Sequence, residues 1–389
     1  MSTGDPAAKP DDGYAGLTRL TEGLPAADYT DPARYQRELT QIWHENWVYV
    51  CRSTELPLPR SYRTFELGQQ SLFLVRDAAG EVRGYYNTCR HRGAALCRNE
   101  SGRFPSAGIV CPYHGWRYGL HGQLLQSSSL TQPEGFRLED YPLYEIPVTV
   151  WNGCVFVALT DQPPPFGAAF DQPLGRLDRW HLGDLVVGHQ FRKTIACNWK
   201  IFWENYNECL HCPGVHPRLS SLVPIFGRGL QDEKDDPHWR RHAGNDDPKY
   251  RGGLRRGAQS WTLDGRPVGV AFPDLTAADR ALGQVYVTCL PSAFIVGHVD
   301  YVRIVRLRPL APEQTELSVE FLFLPETLQD PARDISGAVE FTKQVMQEDA
   351  DVCEINQRGL HSSPHRHGVL MAEEYLVAGF QDWVRRGLE

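Results

Sequence analysis

Two short loops set the tightest limits on how this chain can fold. Cys89-Arg-His91-Arg-Gly93 and Cys111-Pro-Tyr-His114-Gly115-Trp116 each carry one thiol and one imidazole, with nineteen residues between His91 and Cys111. Such a set can hold a metal only if both loops meet at their tips. Zinc is the default occupant of two cysteines and two histidines, and a cluster of two irons is the alternative. The flanking sequence has the period that would bring the loops together. Segments 47–52, 62–67, 71–77 and 82–87 are short and rich in Val, Leu, Phe and Tyr, and Asp77-Ala-Ala-Gly80 predicts a hairpin turn. They predict a small antiparallel β domain that continues through 108–110, 116–119 and 154–159.

A second stretch, 198–217, reads as a helix carrying Asn205, Glu208 and His211 at spacings of three, hence on one face. Pro213 and Gly214 are expected to stop it, so that the chain folds back and aims His216 at the same point as His211. Two neutral imidazoles plus a carboxylate make the facial triad of non-haem Fe(II). The alternative is a helix end with two surface histidines. A metal reading needs a carboxylate from another helix, and the expected helix over 338–360 offers Glu348, Asp349 and Asp351. Val345 and Val352 share the wheel with Asp349, which turns it inward, whereas Glu348 is expected to point elsewhere. A carboxylate forced inward needs a partner. Asp351 remains the competitor.

The rest of the chain narrows the class. A length of 389 residues suggests two or three domains, and the net charge of -8 leaves no nucleic-acid footprint. No apolar run approaches a membrane span and the polar start lacks a leader pattern, so a cytoplasmic protein is expected. Ten cysteines then argue for thiols or metal ligands over a disulfide framework. Cys97 reads as a small buried residue, and Cys209 and Cys212, interleaved with the end of the second stretch, as packing residues or as residues supporting the ligands from behind. Asp31-Pro32 opens a helix to about Trp43 after a flexible lead-in over 1–25. Pro163-Pro-Pro165 marks a boundary, 228–260 reads as a long loop or lid, and strands are expected at 185–196, 268–272, 285–290, 293–299, 301–309 and 315–324. A short helix is expected around 371–385 after a polar turn.

Cys-Arg-His-Arg-Gly and Cys-Pro-Tyr-His-Gly-Trp resemble, nearly letter for letter, the Rieske loops of ring-hydroxylating oxygenases, and from about 28 to 385 the chain resembles the large subunit of Rieske non-haem iron oxygenases. The resemblance implies an α+β fold: a small antiparallel β Rieske domain plus a catalytic domain of helices on an antiparallel sheet, helix-grip-like. The expected division is 1–44 as lead-in and helix packing on the catalytic domain, 45–162 as Rieske domain and 163–389 as catalytic domain. It implies Cys89, His91, Cys111 and His114 as ligands of a [2Fe–2S] cluster, and His211, His216 and Asp349 as ligands of one Fe(II), with Asn205 close by. Glu208 takes the position that bridges to a Rieske histidine, here His114, of the next chain in a homotrimer. Electrons would come from a separate ferredoxin or flavin reductase, since no G-x-G-x-x-G follows a strand.

The run Phe202–Gly214 is similar to members that demethylate quaternary amines, which implies oxidative N-demethylation of a betaine-like substrate with O2 and release of formaldehyde. An aromatic cage suits such a cation, and Trp261, Phe272, Phe294 and Tyr301 are candidate walls. Hydroxylation of an aromatic acid or natural product is the alternative. A Rieske protein that only carries electrons is a third reading, but it would have no use for His211, His216 and Asp349.

Overall fold

The computed structural model describes residues 9–106 and 108–389, so the first eight residues of the expected lead-in lie outside the described residues. The lead-in is not all loop, because Thr21–Pro25 pairs antiparallel with His367–Leu370, a strand inside the expected polar turn. The Asp31 carboxylate accepts from the Ala33 amide at 2.7 Å and starts the Pro32–Glu38 helix, which runs on through a π turn to Trp43.

The β domain is built from three small sheets. The largest orders Glu145–Ile146, Val82–Tyr86, Gln70–Arg76, Ser61–Leu67 and Ser101–Arg103. A second joins Val148–Trp151, Cys154–Val157 and Val48–Arg52, and a third joins Gly108–Val110, Arg117–Gly119 and Leu124–Gln126. The cysteine loops lie at strand ends, around a core that includes Phe73, Tyr85, Ile109 and Tyr118.

The second unit is a five-stranded antiparallel sheet ordered Val186–Ile195, Gln314–Phe323, Val302–Ala311, Ala293–His298 and Gln284–Cys289. Successive side chains take opposite faces. Val287, Ile295 and Ile304 pack with Trp180 and Phe272 on one face, while Phe294, Val296 and Val305 turn to the other, toward the long helix Ser336–Leu360. The expected strand at 268–272 does not form. The amides of Val268 and Gly269 go to the Asp300 carboxylate and that of Val270 to the Thr327 hydroxyl, leaving no ladder to join. The 228–260 segment is irregular, broken by short turns and the Pro248–Arg251 helix.

One buried ion pair ties the N-terminal helix to this unit. Glu38 and Lys200 meet at 2.6 Å with both side chains wholly buried, and Glu38 also accepts from the Trp199 indole at 2.8 Å. This anchors the helix Trp199–Tyr206, capped by the Asn198 side chain.

Candidate functional site

The two cysteine loops share one backbone design. Cys89 N–H bonds Ala94 O and Gly93 N–H returns to Cys89 O; likewise Cys111 N–H bonds Trp116 O and Gly115 N–H returns to Cys111 O. Each return needs a left-handed residue, and Gly93 and Gly115 sit at φ +75° and +73°. Cys89 and Cys111 are buried as free thiols, whereas His91 is exposed and its Nδ1 lies 3.2 Å from His114 Nδ1. His91 stacks on Trp116 with ring centroids 4.9 Å apart. The Tyr118 hydroxyl lies 3.2 Å from Cys89 Sγ. Burial pushes the Cys89 thiol up, and a bound metal would hold it as thiolate. Burial, then His114 and Arg92, hold His91 below its ordinary value, so the ring stays a neutral donor. Two buried thiols behind two outward imidazoles fit a [2Fe–2S] cluster with its histidine side at the surface. Cys97 is buried in the same core, as expected of a packing residue.

At the second site the helix ends earlier than the sequence pattern implies. It stops at Tyr206, because the Glu208 carboxylate takes over the amides of Leu210 and His211. A separate turn, Cys212–Val215, follows, and Pro213 and Gly214 lie inside it instead of ending the first helix. Cys212 N–H bonds Cys209 O across this bend, and the two sulfurs form a disulfide, which corrects their reading as separate packing residues.

The bend brings His211 and His216 together all the same. Their Nε2 atoms are 3.1 Å apart, and Asp349 Oδ1 lies 2.9 Å from the His216 nitrogen and 3.4 Å from that of His211. Three donors roughly 3 Å apart are what neighbouring positions of an octahedron with ~2.1 Å bonds require. Asn205 Nδ2 stands 3.4 Å from His211 Nε2. Asp351 is exposed and bonded to Gln347, which removes it from the contest.

Both imidazoles are oriented from behind by carboxylates: His211 Nδ1 lies 2.5 Å from Glu208, and His216 Nδ1 lies 2.8 Å from Glu348. Glu348 therefore does not point elsewhere. The His216 ring lies between neighbouring carboxylates of one helix, meeting Asp349 with one nitrogen and Glu348 with the other. The signal in the sequence was the Glu-Asp pair itself. Burial opposes charge on both rings, but Asp349 and Glu208 lift His211 to about 9, and Asp349 and Glu348 raise His216. Burial pushes Asp349 up, yet the two imidazoles hold it below the ordinary carboxylate value.

A cavity of about 480 Å³ opens onto these three residues. Thr342, Val345, Met346 and Asp349 line it from one face of the long helix, at spacings of three and four. Of the expected aromatic walls, Trp261 and Phe294 line it. Phe272 packs behind the sheet against Trp180, and the Tyr301 hydroxyl bonds the Trp261 carbonyl from within the core. Tyr206 and Tyr286 line it instead, Tyr206 stacking on Phe294 at 4.1 Å.

Comparison with known proteins agrees with both centres. Residues 46–142 match the Rieske [2Fe-2S] domain, and 182–389 match the ring hydroxylating alpha subunit (catalytic domain). The chain belongs to the Rieske ring-hydroxylating oxygenase alpha-subunit family. It is thus the terminal oxygenase component of such a system, using a [2Fe–2S] cluster, mononuclear iron, O2 and an electron-transfer partner to oxidise a small molecule. It is 29% identical to the glycine betaine monooxygenase oxygenase subunit of Chromohalobacter salexigens, over 97% of this chain and 89% of that one. Identity to the chloroplastic choline monooxygenase of Spinacia oleracea is 25%, over 99% and 81%. The crystal structure of the quaternary ammonium Rieske monooxygenase CntA with L-carnitine shares the fold, at TM-score 0.71 and 20% identity over 98% and 100% of the two chains. Among the described residues no helix is long and apolar enough to cross a membrane.

Proposed function

We propose that this oxygenase removes a methyl group from a small betaine-like quaternary amine. The observation that carries the reading is the cavity itself, which Phe294, Tyr206, Tyr286 and Trp261 line together with His211, His216 and Asp349. Aromatic faces attract a methylammonium cation, which cannot be hydrogen-bonded and must be held by such surfaces. Relatives named for glycine betaine, carnitine and choline support the same class.

In this reading His211, His216 and Asp349 hold the iron, and Cys89, Cys111, His91 and His114 hold the cluster. Iron bound there supplies O2 activation and oxidation of a C–H bond, using two electrons from a separate ferredoxin or flavin reductase. The protein's part is position: the aromatic walls present one N-methyl group to the iron. Insertion of one oxygen atom of O2 into the C–H bond gives N–CH2OH, the other oxygen leaving as water with the two electrons and two protons. Its C–N bond then breaks with the electron pair returning to nitrogen, and formaldehyde, a proton and the tertiary amine leave.

Residues 163–389 do the oxidation, 45–162 carry the electron in, and the described part of 1–44 packs on the catalytic unit, in a cytoplasmic homotrimer. Within the chain Glu208 bonds only Leu210 and His211 among the described residues, while His91 is exposed and His114 half-buried. That supports Glu208 as the link to His114 of a neighbouring chain.

A single-turnover assay tests the reading without the reductase. Dithionite-reduced protein meets O2 and a panel of betaines and aromatic acids, with formaldehyde and product masses read together. Formaldehyde matching the loss of one methyl is expected. Ring hydroxylation without formaldehyde would replace the proposal with the aromatic alternative.

A further inference from the structure

Arg303 lies on the cavity wall and has no carboxylate partner among the described residues. It sits on the Val302–Ala311 strand opposite Val296, so the two side chains share the sheet face that also presents Phe294 and, one strand further, Tyr286. Its guanidinium donates to the Thr342 hydroxyl at a long 3.4 Å, and its Nε–H is buried with no acceptor among the described residues. Trp261 lines the same cavity, and its indole Nε1–H is likewise buried and unpartnered. Buried donors almost always have acceptors, so two orphans on residues that line one cavity point to an acceptor that arrives with a ligand.

Charged groups of both signs line the cavity, Arg176, Asp232 and Arg251 among them beside Glu208, Asp349 and Arg303. Glu208 and Asp349 stand at the imidazole end. Arg303 bonds Thr342, which precedes Asp349 by seven residues, about 10 Å along the helix. A ligand with its cationic methyl group near the imidazoles thus meets a positive guanidinium a few bonds further on. Guanidinium and carboxylate match as a planar fork, and an alcohol cannot form that pair.

We propose that Arg303, with the Trp261 indole N–H, binds the carboxylate of a zwitterionic substrate and so selects carboxylated quaternary amines over choline-like alcohols. This rests on the demethylase reading above. It makes Arg303 a specificity residue that touches the substrate away from the reacting carbon.

The test compares wild type, Arg303→Gln and Arg303→Lys, all loaded with both metals. Formaldehyde release is measured with glycine betaine, carnitine and choline, and binding with tetramethylammonium, which has the cation and no carboxylate. Loss of charge-assisted bonds should raise KM for the carboxylated substrates roughly ten- to a hundredfold in Arg303→Gln with kcat little changed. Arg303→Lys should fall between, and tetramethylammonium should bind all three alike, which also reports an intact cavity. Unchanged KM for glycine betaine and carnitine in Arg303→Gln would overturn the anchor alone. Equal losses for tetramethylammonium and the carboxylated ligands would do the same, assigning Arg303 a structural role. Wild-type protein that releases formaldehyde from none of the amines would overturn the demethylase reading and the anchor together.

Discussion

Truncating Glu348 to alanine should weaken binding of iron at the His211, His216 and Asp349 site by roughly 10–100-fold while leaving the cluster untouched. The His216 side chain is 2% exposed, and its Nδ1 meets Glu348 at 2.8 Å. Without Glu348 that N–H keeps no acceptor, and a buried orphan donor costs about 1–3 kcal/mol. At about 1.4 kcal/mol per decade the loss is roughly 5–150-fold in affinity. Glu348→Gln keeps an acceptor and loses only the charge, so its loss should be a smaller part of this, about half in free energy.

The assay is anaerobic titration of Fe(II) into protein stripped of mononuclear iron, against a competing chelator, with the visible spectrum of the cluster as internal control. pH adds a second signature. Burial works against a proton on His216, and Asp349 and then Glu348 work for it. Deleting Glu348 therefore eases proton competition at low pH and partly masks the loss there, so the deficit should widen as pH rises. Affinity within twofold of wild type at pH 8 in Glu348→Ala would refute the argument that this carboxylate holds the ring.

Glu208→Gln should retain both metals yet slow turnover by roughly 10–100-fold, read as single-turnover product with iron content measured alongside; turnover near wild type would sink the proposed inter-subunit route. Lys200→Met strands the Glu38 carboxylate in the interior and should cost about 3–5 kcal/mol in urea unfolding, with Glu38→Leu added to it restoring most of the loss. In protein stripped of mononuclear iron, burial opposes a proton on His211 but Asp349 and Glu208 lift it to about 9, above the 6.5 of a free imidazole. A raised folded-state value stabilises fully below pH 6.5 and is lost as pH climbs through 9, by up to ~3 kcal/mol. A melting temperature flat over that window would contradict it.

How much of this was legible in the sequence depends on how local each determinant is. The cluster loops were readable because their ligands, their turns and the glycines that permit the turns all fall within five consecutive residues, so nothing distant could overrule them. The longer strands were readable for a similar reason, since alternation is written residue by residue, whereas Ser101–Arg103, Leu124–Gln126, Glu145–Ile146 and Val148–Trp151 were too short or too weakly patterned to stand out. Misreadings arose where a side chain took a backbone partner away from regular structure. Glu208 stopped a helix that periodicity extends through His211, and Asp300, some thirty residues downstream, withdrew the amides of Val268 and Gly269 from any sheet. The pairing of Thr21–Pro25 with His367–Leu370 joins the two ends of the chain and leaves no local trace.

The site itself shows the same division more sharply. A helical wheel turned Asp349 inward but left Asp351 in contention until the family resemblance decided between them, and the same wheel dismissed Glu348, the neighbour of Asp349. A wheel reports direction from one axis and says nothing of how wide the facing group is. An imidazole has donor positions on two sides of its ring, so adjacent residues of a helix can reach both sides at once when the ring stands between them, as His216 does. Arg303 was hidden for the complementary reason. In an alternating strand an arginine between two apolar residues reads as the solvent face, yet here the other face of the sheet looks into a cavity roofed by the long helix. Two rules follow for chains of this kind. A carboxylate beside a proposed ligand on a helix is itself a candidate to orient another ligand, and a charge on the polar register of a strand is a candidate for substrate recognition when a helix covers that face. Neither requires more of the sequence than was there; both require counting the hydrogen-bonding valences of the groups that must meet.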